Sequence, residues 1–152
     1  MPTENEKLKK RWGVKVGIVA GNFDVIHPGY VKLFEDAKEN ACNYLIVALQ
    51  SDPTIDRPKK NKPVQTVEER EYILKSIRYV DEVLHYDTED QLYDILENCD
   101  YDVRILGSDY NLPGKQFTGW KLNKPIYFHN RDHDYSASDL KKRIAESILL
   151  KK

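Results

Sequence analysis

The sequence predicts an α/β domain built on a doubly wound parallel sheet of five strands, with helices on both faces. Short β-rich runs alternate with amphipathic segments in the order β-α-β-α-β-α-β-β-α, which is the pattern of a parallel sheet. A strand buried on both faces is indicated at residues 44–49, because their sequence YLIVAL is apolar throughout. In such sheets ligands bind beyond the carboxyl ends of the strands, where the strand order reverses.

The first half of the chain contains two strands and a helix between them. A strand over residues 14–20 ends at the turn-prone residues 21–24. Pro28 suits the first turn of the following helix, since its missing N–H would have no partner there. Four apolar residues then recur at the spacing of one helix face: Tyr30, Leu33, Phe34 and Ala37. The buried strand 44–49 follows, and the stretch 50–65 after it is too polar to be core.

The second half of the chain alternates helices with strands. Capping boxes are predicted where Thr66 precedes Glu69 and where Thr88 precedes Gln91, and each opens a helix. The remaining strands are predicted at 80–84, 103–106 and 126–128. Ser136 caps the last helix, whose apolar residues are Leu140, Ile144 and Ile148.

Length and charge narrow the class of protein. The chain has 152 residues, of which 40% are apolar and 32% charged, as in a globular protein with its own core. Lys plus Arg total 24 and Asp plus Glu total 25, which argues against a polybasic nucleic-acid-binding protein. We therefore expect a polar lead over 1–13, one domain over 14–148, a cytoplasmic location, and neither a nucleic-acid nor a membrane partner.

Segment 21–30, which reads GNFDVIHPGY, is the first candidate site. It joins the first strand to the first helix, where unpaired backbone N–H groups favour an anion. His27 lies in this turn. A histidine at such a position can contact the anion or merely cap the helix, and the spacing leaves both readings open.

Two further segments are candidates for binding phosphate. The cationic run 57–62, RPKKNK, is either a solvated loop or a clamp on a polyphosphate. Segment 131–138, RDHDYSAS, combines Arg131 with a helix start, and Ser136 there can be a cap, a ligand or both. In the predicted sheet all three candidate segments converge on one edge.

Two segments together resemble the signatures of the cytidylyltransferase-like nucleotidyltransferases. The first is G-x-F-D-x-x-H-x-G over residues 21–29, and the second is Arg131 followed by S-x-S at 136–138. The likeness continues through residues 69–70, 76–83 and 107–110, and it is greatest to the glycerol-3-phosphate cytidylyltransferases. The resemblance implies a single-domain Rossmann-like fold, a homodimer, and Mg²⁺-dependent transfer of a nucleotidyl group, CMP from CTP, to a small phosphorylated alcohol or sugar with release of pyrophosphate.

The resemblance also implies a role for each matched residue. Residues that would stabilise charge on the phosphates are His27, Lys59, Lys60 and Arg131. Residues that would contact the nucleotide are Asn22, Phe23, Tyr30, Asp109, Ser136, Ala137 and Ser138. Residues that would contact the acceptor are Asp24 and Arg78, and Asp24 would also bind the metal ion. His133 lies outside the matched pattern, and we expect it at the rim of the pocket, where it would help to select the acceptor.

The chain departs from the family pattern at three places. Tyr30 stands where most relatives have a second histidine, residues 132–135 replace Thr-x-Gly-Ile, and Ala137 replaces a threonine. A tyrosine stays neutral at pH 7 and supplies no imidazolium. Two readings compete: a branch with another acceptor or nucleotide, including adenylyl transfer to a sugar phosphate, or a nucleotide-binding module of weak activity.

Overall fold

A five-stranded parallel sheet forms the centre of the molecule in the computed structural model, which describes residues 13–151. The predicted lead therefore lies outside the described residues apart from Gly13. The strands are β1 (Val16–Gly21), β2 (Tyr44–Gln50), β3 (Glu82–Tyr86), β4 (Val103–Gly107) and β5 (Ile126–His129). Their order across the sheet is β3-β2-β1-β4-β5, with every pairing parallel. The predicted fold class is confirmed.

Among the described residues three α-helices connect strands and a fourth follows β5, and these helices follow the predicted capping signals with one exception. They are α1 (Pro28–Asn40), α2 (Val67–Ser76), α3 (Glu89–Asn98) and α4 (Ala137–Leu149). The capping box of Thr66 and Glu69 is closed in both directions. At α3 the Thr88 hydroxyl accepts from Gln91 N–H, but the Gln91 side chain accepts from Asp87 N–H instead of closing the box.

The third strand begins two residues later than predicted. The Val80 N–H is bonded to the Ile77 carbonyl in a turn, and pairing with β2 starts only where Glu82 lies beside Ile46. The apolar residues of that turn favour an earlier start in the sequence, but a backbone N–H used in a turn is not available to the sheet.

Two apolar cores cover the two faces of the sheet. On one face β2 residues such as Leu45 and Val47 pack with Phe34 of α1 and Leu74 of α2. On the other face Ile18 packs with Leu92 and Leu96 of α3. Alternate residues of β1 and β2 therefore point into different cores, which explains why both strands are almost wholly apolar.

The carboxyl ends of β1 and β4 lie side by side at the point where the strand order reverses. The chain leaves β1 toward β2 and leaves β4 toward β5, so the two loops diverge and open a cleft. α4 contributes its first turn to this cleft, while its predicted apolar stripe, including Ile144 and Ile148, is exposed. Over residues 13–151, none of the helices has the length and apolar character required to cross a membrane.

Candidate functional site at the sheet switch point

Two adjoining cavities occupy the cleft beyond β1 and β4. The smaller has a volume of about 300 Å³ and the larger about 1150 Å³. Asn22, Tyr30 and Ala137 line both cavities, so a single elongated ligand can extend from one into the other. Most of the residues singled out in the sequence line one or both of these spaces.

The β1–α1 loop has a strained backbone held by packing. Phe23 and Val25 both have positive φ angles, of 46° and 52°, which is uncommon for any residue except glycine and rare for a β-branched one. The Phe23 ring is buried against Tyr30 and Phe34, at centroid distances of 5.2 and 5.4 Å. Such a conformation persists only where the surroundings fix it, so the shape of this loop is built into the fold.

His27 is the N-cap of α1, and its side chain is buried. The Nδ1 atom accepts a hydrogen bond of 3.0 Å from Gly29 N–H. The proton of the neutral ring is therefore on Nε2, and the imidazole lines the smaller cavity. Burial lowers the pKa of His27, and the charges of Arg131 and His133 lower it further. The neutral ring thus caps the helix with one nitrogen and keeps the other available to donate.

Tyr30 stacks on His27, with ring centroids 4.0 Å apart. Burial raises the pKa of Tyr30, and the negative charge of Asp24 raises it further, while Arg131 opposes both. The phenol is therefore neutral, as expected from the sequence, and it contributes a hydroxyl group and an aromatic wall to both cavities.

Asp24 lies in the β1–α1 loop and lines the larger cavity. Its carboxylate is buried and accepts hydrogen bonds from Val64 N–H at 2.8 Å and Gln65 N–H at 3.0 Å, and it forms an ion pair of 2.6 Å with Lys141. Burial tends to raise the pKa of Asp24, but these three donors outweigh it and hold the pKa below its usual value. The oxygens already have partners within the fold. The residue ties α4 and the chain before α2 to the β1–α1 loop. The metal-binding and acceptor-binding roles implied by the resemblance stay predictions.

The cationic loop 57–62 crosses the larger cavity between two anchors. At one end Arg57 forms an ion pair of 2.7 Å with Glu89, and at the other the Val64 N–H is held by Asp24. Lys60 lines the larger cavity, whereas Lys59 lines neither cavity. Both lysines are exposed. The loop is thus exposed, and its position beside the larger cavity is fixed at both ends, which leaves both readings of the cationic run open.

Segment 131–138 forms the opposite wall. Arg131, Ser136 and Ala137 line the smaller cavity, and Ser138 lines the larger one. The Ser136 hydroxyl accepts from Asp139 N–H at 3.0 Å, so Ser136 is a helix cap beside the cavity. Arg131 donates to the Tyr135 carbonyl within its own segment, and its guanidinium has further donors.

The other predicted site residues divide between the cleft and the surface. Asn22 lines both cavities, and Asp109 and His133 line the smaller one. Arg78 lines neither cavity, and its guanidinium is bonded to the Tyr79 hydroxyl on the outer surface. The structure therefore brings His27, Arg131 and Ser136 into one space with Lys60 in the adjoining one, and it leaves Lys59 and Arg78 outside.

Arg70 is a buried residue beside the site, lining neither cavity, that the sequence interpretation did not single out. Its guanidinium makes five hydrogen bonds to backbone carbonyl groups, and it is 1% exposed. These acceptors lie after β1, at the end of β2 and directly after it, and before α2: Asn22, Gln50, Ser51, Gln65 and Thr66. Arg70 thus joins the three chain segments that border the cleft. In the sequence Arg70 cannot be distinguished from a charged residue on the surface of a helix. Only the family resemblance at residues 69–70 drew attention to it.

A switch-point cleft with cationic walls and two helix starts defines a Rossmann-like α/β protein with a site suited to phosphate groups. The chain belongs to the cytidylyltransferase-like family, whose model matches residues 18–147. This membership confirms the nucleotidyltransferase class predicted from the two signatures. The narrower likeness to the glycerol-3-phosphate branch stays a prediction.

Curated relatives are similar over part of their length. The chain is 39% identical over 104 residues to the bifunctional protein HldE of Gluconacetobacter diazotrophicus, covering 66% of this chain and 21% of the relative. It is 34% identical over 126 residues to HldE of Wolinella succinogenes, covering 80% and 26%. The chain thus spans about a fifth to a quarter of the length of these two relatives.

Solved structures share the fold at low sequence identity. A lipopolysaccharide core biosynthesis protein from Thermoplasma volcanium aligns with a TM-score of 0.54 and 18% identity over 88% of each chain. A protein from Archaeoglobus fulgidus aligns with a TM-score of 0.55 and 15% identity over 80% of this chain and 93% of its own. These similarities support the architecture alone.

We expect Arg70→Ala to lower the free energy of unfolding by roughly 3–5 kcal/mol, because several buried carbonyl groups lose their donor. Urea denaturation measures the change. Arg143→Ala is the matched control, since Arg143 is exposed on α4, and it should stay within about 0.5 kcal/mol of the unsubstituted protein. An Arg70→Ala protein as stable as the control would contradict the assigned role.

We expect Asp24→Asn to make the free energy of unfolding less dependent on pH in the acid range. Since the pKa of Asp24 is lower in the folded chain than in the unfolded one, its ionised form stabilises the fold above the unfolded pKa of about 3.9. That stabilisation is lost as the pH falls through the folded value. Unfolding free energies measured from pH 6 to 3 should fall less steeply for Asp24→Asn than for the exposed control Asp94→Asn. Equal slopes would show that Asp24 has no such linkage.

Proposed function

We propose that this domain transfers a nucleotidyl group from a nucleoside triphosphate to a small phosphorylated alcohol or sugar and releases pyrophosphate. The observation that carries the proposal is the convergence of His27 and Arg131 on one cavity at the sheet switch point, with Lys60 in the adjoining cavity. These groups come from three separate parts of the chain. A triphosphate carries several negative charges in a row, and a cleft with cationic groups along its length is complementary to it.

The proposed reaction requires alignment and charge stabilisation. An oxygen of the acceptor phosphate attacks the α-phosphorus, the bond from that phosphorus to the bridging oxygen breaks, and the bond's electron pair leaves with pyrophosphate. The acceptor supplies the nucleophile, so no covalent enzyme intermediate is needed. In this proposal Arg131 and the Nε2–H of His27 stabilise the negative charge that develops on the leaving group.

Lys60 is proposed to act on the acceptor side of the reaction. Its ammonium would lie between the acceptor phosphate and the α-phosphate and reduce their mutual repulsion. Lys59 is a weaker candidate because it lines neither cavity. The N–H groups at the start of α4, beside Ser136 and Ser138, are proposed to hold the β- and γ-phosphates.

Mg²⁺ is proposed to enter with the triphosphate. Over residues 13–151 no group of three or more His, Cys, Asp or Glu side chains is arranged to hold a metal ion, and Asp24 is already paired with Lys141. The residues therefore do not form a protein cage for the ion. Mg²⁺ binds readily to substrate phosphates, so in this proposal the ion arrives as part of the substrate.

The choice of base and acceptor follows from the resemblance and needs a direct assay. CTP is the proposed donor and glycerol phosphate the first acceptor to test, with ATP and a sugar phosphate as the second pair. Purified protein with Mg²⁺, each triphosphate and each acceptor would be tested for pyrophosphate release. Release with one pair identifies the substrates, whereas tight triphosphate binding without release from any pair favours the binding-module reading. Sedimentation of the same sample tests the proposed homodimer.

We expect His27→Asn to separate capping from phosphate binding. Asparagine is a good N-cap, so α1 should remain intact, but it has no imidazole Nε2–H. Turnover should fall roughly 10²–10⁴-fold, as is typical when a positioned proton-bearing group is lost, with little change in the free energy of unfolding. His85→Asn is the matched control, because His85 is exposed on β3 and lies outside both cavities. Full activity of His27→Asn would show that His27 serves only as the N-cap of α1.

A further inference from the structure

The smaller cavity contains two further imidazoles, which face His27 across it. His129 is the last residue of β5 and is buried, and His133 follows it by four residues. The rings of His129 and His133 are 6.3 Å apart between centroids. A Cβ atom added at Gly29 would lie 2.7 Å from the Cε1 atoms of both His27 and His133, so these two rings meet over the glycine of the α1 start.

His133 and His27 have the same tautomer for the same reason. In each, Nδ1 accepts a hydrogen bond from the backbone N–H two residues later, Tyr135 N–H at 3.1 Å for His133 and Gly29 N–H at 3.0 Å for His27. The proton of each neutral ring is therefore on Nε2. The His133 Nε2 atom is buried and has no hydrogen-bond partner, and no described residue bonds to the His27 Nε2 atom either.

An unpartnered buried donor is costly and requires an explanation. The surroundings of His133 favour an anion: Arg131, Lys32 and His129 are the positive or ionisable bases that act on it, and Asp132 is the opposing charge. Burial and these positive charges lower the pKa of His133, which favours the neutral, Nε2-protonated ring. A phosphate oxygen placed between the two rings would accept from both.

His129 lines the smaller cavity with His27 and His133, and its ring is held by Asp36. Its Nδ1 atom lies 2.7 Å from the Asp36 carboxylate, which also accepts from the Tyr127 hydroxyl at 2.9 Å. The Nε2 atom of His129 is buried and unpartnered. Because Asp36 accepts a hydrogen bond from Nδ1, the orientation of this ring is fixed and its Nε2 atom is directed away from Asp36.

We propose that His133 is a second phosphate-binding imidazole of this site, donating from Nε2 together with His27 to a single phosphoryl group. This inference rests on the proposed function for the origin of the phosphoryl group, which belongs either to the triphosphate chain or to the acceptor. It assigns to segment 131–138 an imidazole donor that residue 30, a tyrosine, does not supply.

Histidine NMR on the full chain tests the proposal without requiring turnover. The chain has four histidines, and His85 is an internal reference because it is exposed outside the cleft. Long-range ¹⁵N–¹H spectra should show the Nε2–H tautomer for His27 and His133. Inorganic pyrophosphate is titrated in one arm and glycerol phosphate in the other.

The expected result is that the resonances of His27 and His133 shift together in the same arm, with His85 unchanged, and that arm identifies the source of the phosphoryl group. A shift of His27 without His133, or shifts of the two rings in different arms, would overturn the proposal. If both rings shift together but no substrate pair releases pyrophosphate, the proposed function fails and this inference stands.

His133→Asn provides the matched variant. An asparagine can accept from the backbone N–H two residues later, as the Nδ1 atom of His133 does, so the local turn is retained. We expect affinity for the ligand of the responding arm to fall roughly ten- to hundredfold, while urea denaturation shows the fold intact. Unchanged affinity in a folded His133→Asn protein would contradict the proposal.

Discussion

The site depends on one buried cation, the guanidinium of Arg70. The regular backbone hydrogen bonds of a parallel sheet stop where its strands end, so a cleft at the switch point needs further contacts to fix its rim. Arg70 supplies it by donating to carbonyl groups of three separate segments, and a planar group with several fixed donors suits this task better than a lysine. Asp24 has the complementary role, because its carboxylate accepts hydrogen bonds from backbone N–H groups. Together they link the loops after β1 and β2 to the start of α2.

The two nitrogens of an imidazole explain why sequence reasoning left His27 open between a cap and a ligand. The alternatives are not exclusive, because Nδ1 serves the helix and thereby fixes the proton on Nε2, facing the cavity. Ser136 similarly caps α4 with its hydroxyl while the helix start borders the same cavity. In both places the structural role prepares the group for a ligand, since it fixes the orientation of the donors in advance.

The fold was predictable because it rests on local patterns. The apolar run of β2, the Thr66–Glu69 box and the proline at α1 each act over a few residues, and the observed elements follow them. The site was predictable only where a motif marked it. The hydrogen bonds of Arg70 span up to 48 residues, and those that Asp24 accepts from the backbone span up to 41. The ion pair of Asp24 with Lys141 joins still more distant parts of the chain, and no local pattern encodes any of these contacts. The position of His133 close to His27 likewise depends on Gly29, which is distant in the chain but adjacent in space.

Anchoring at both ends separates the cationic loop from the rest of the fold. Arg57 is fixed to Glu89 and Val64 to Asp24, so the six residues between them can change in length or composition without disturbing either attachment. Six extended residues at about 3.3–3.6 Å each span about 20 Å. A loop that must return to its second anchor therefore extends no further than about 10 Å from the anchors. The two anchors therefore limit how far the loop can extend over the larger cavity, and they thereby set an upper bound on the space enclosed beneath it.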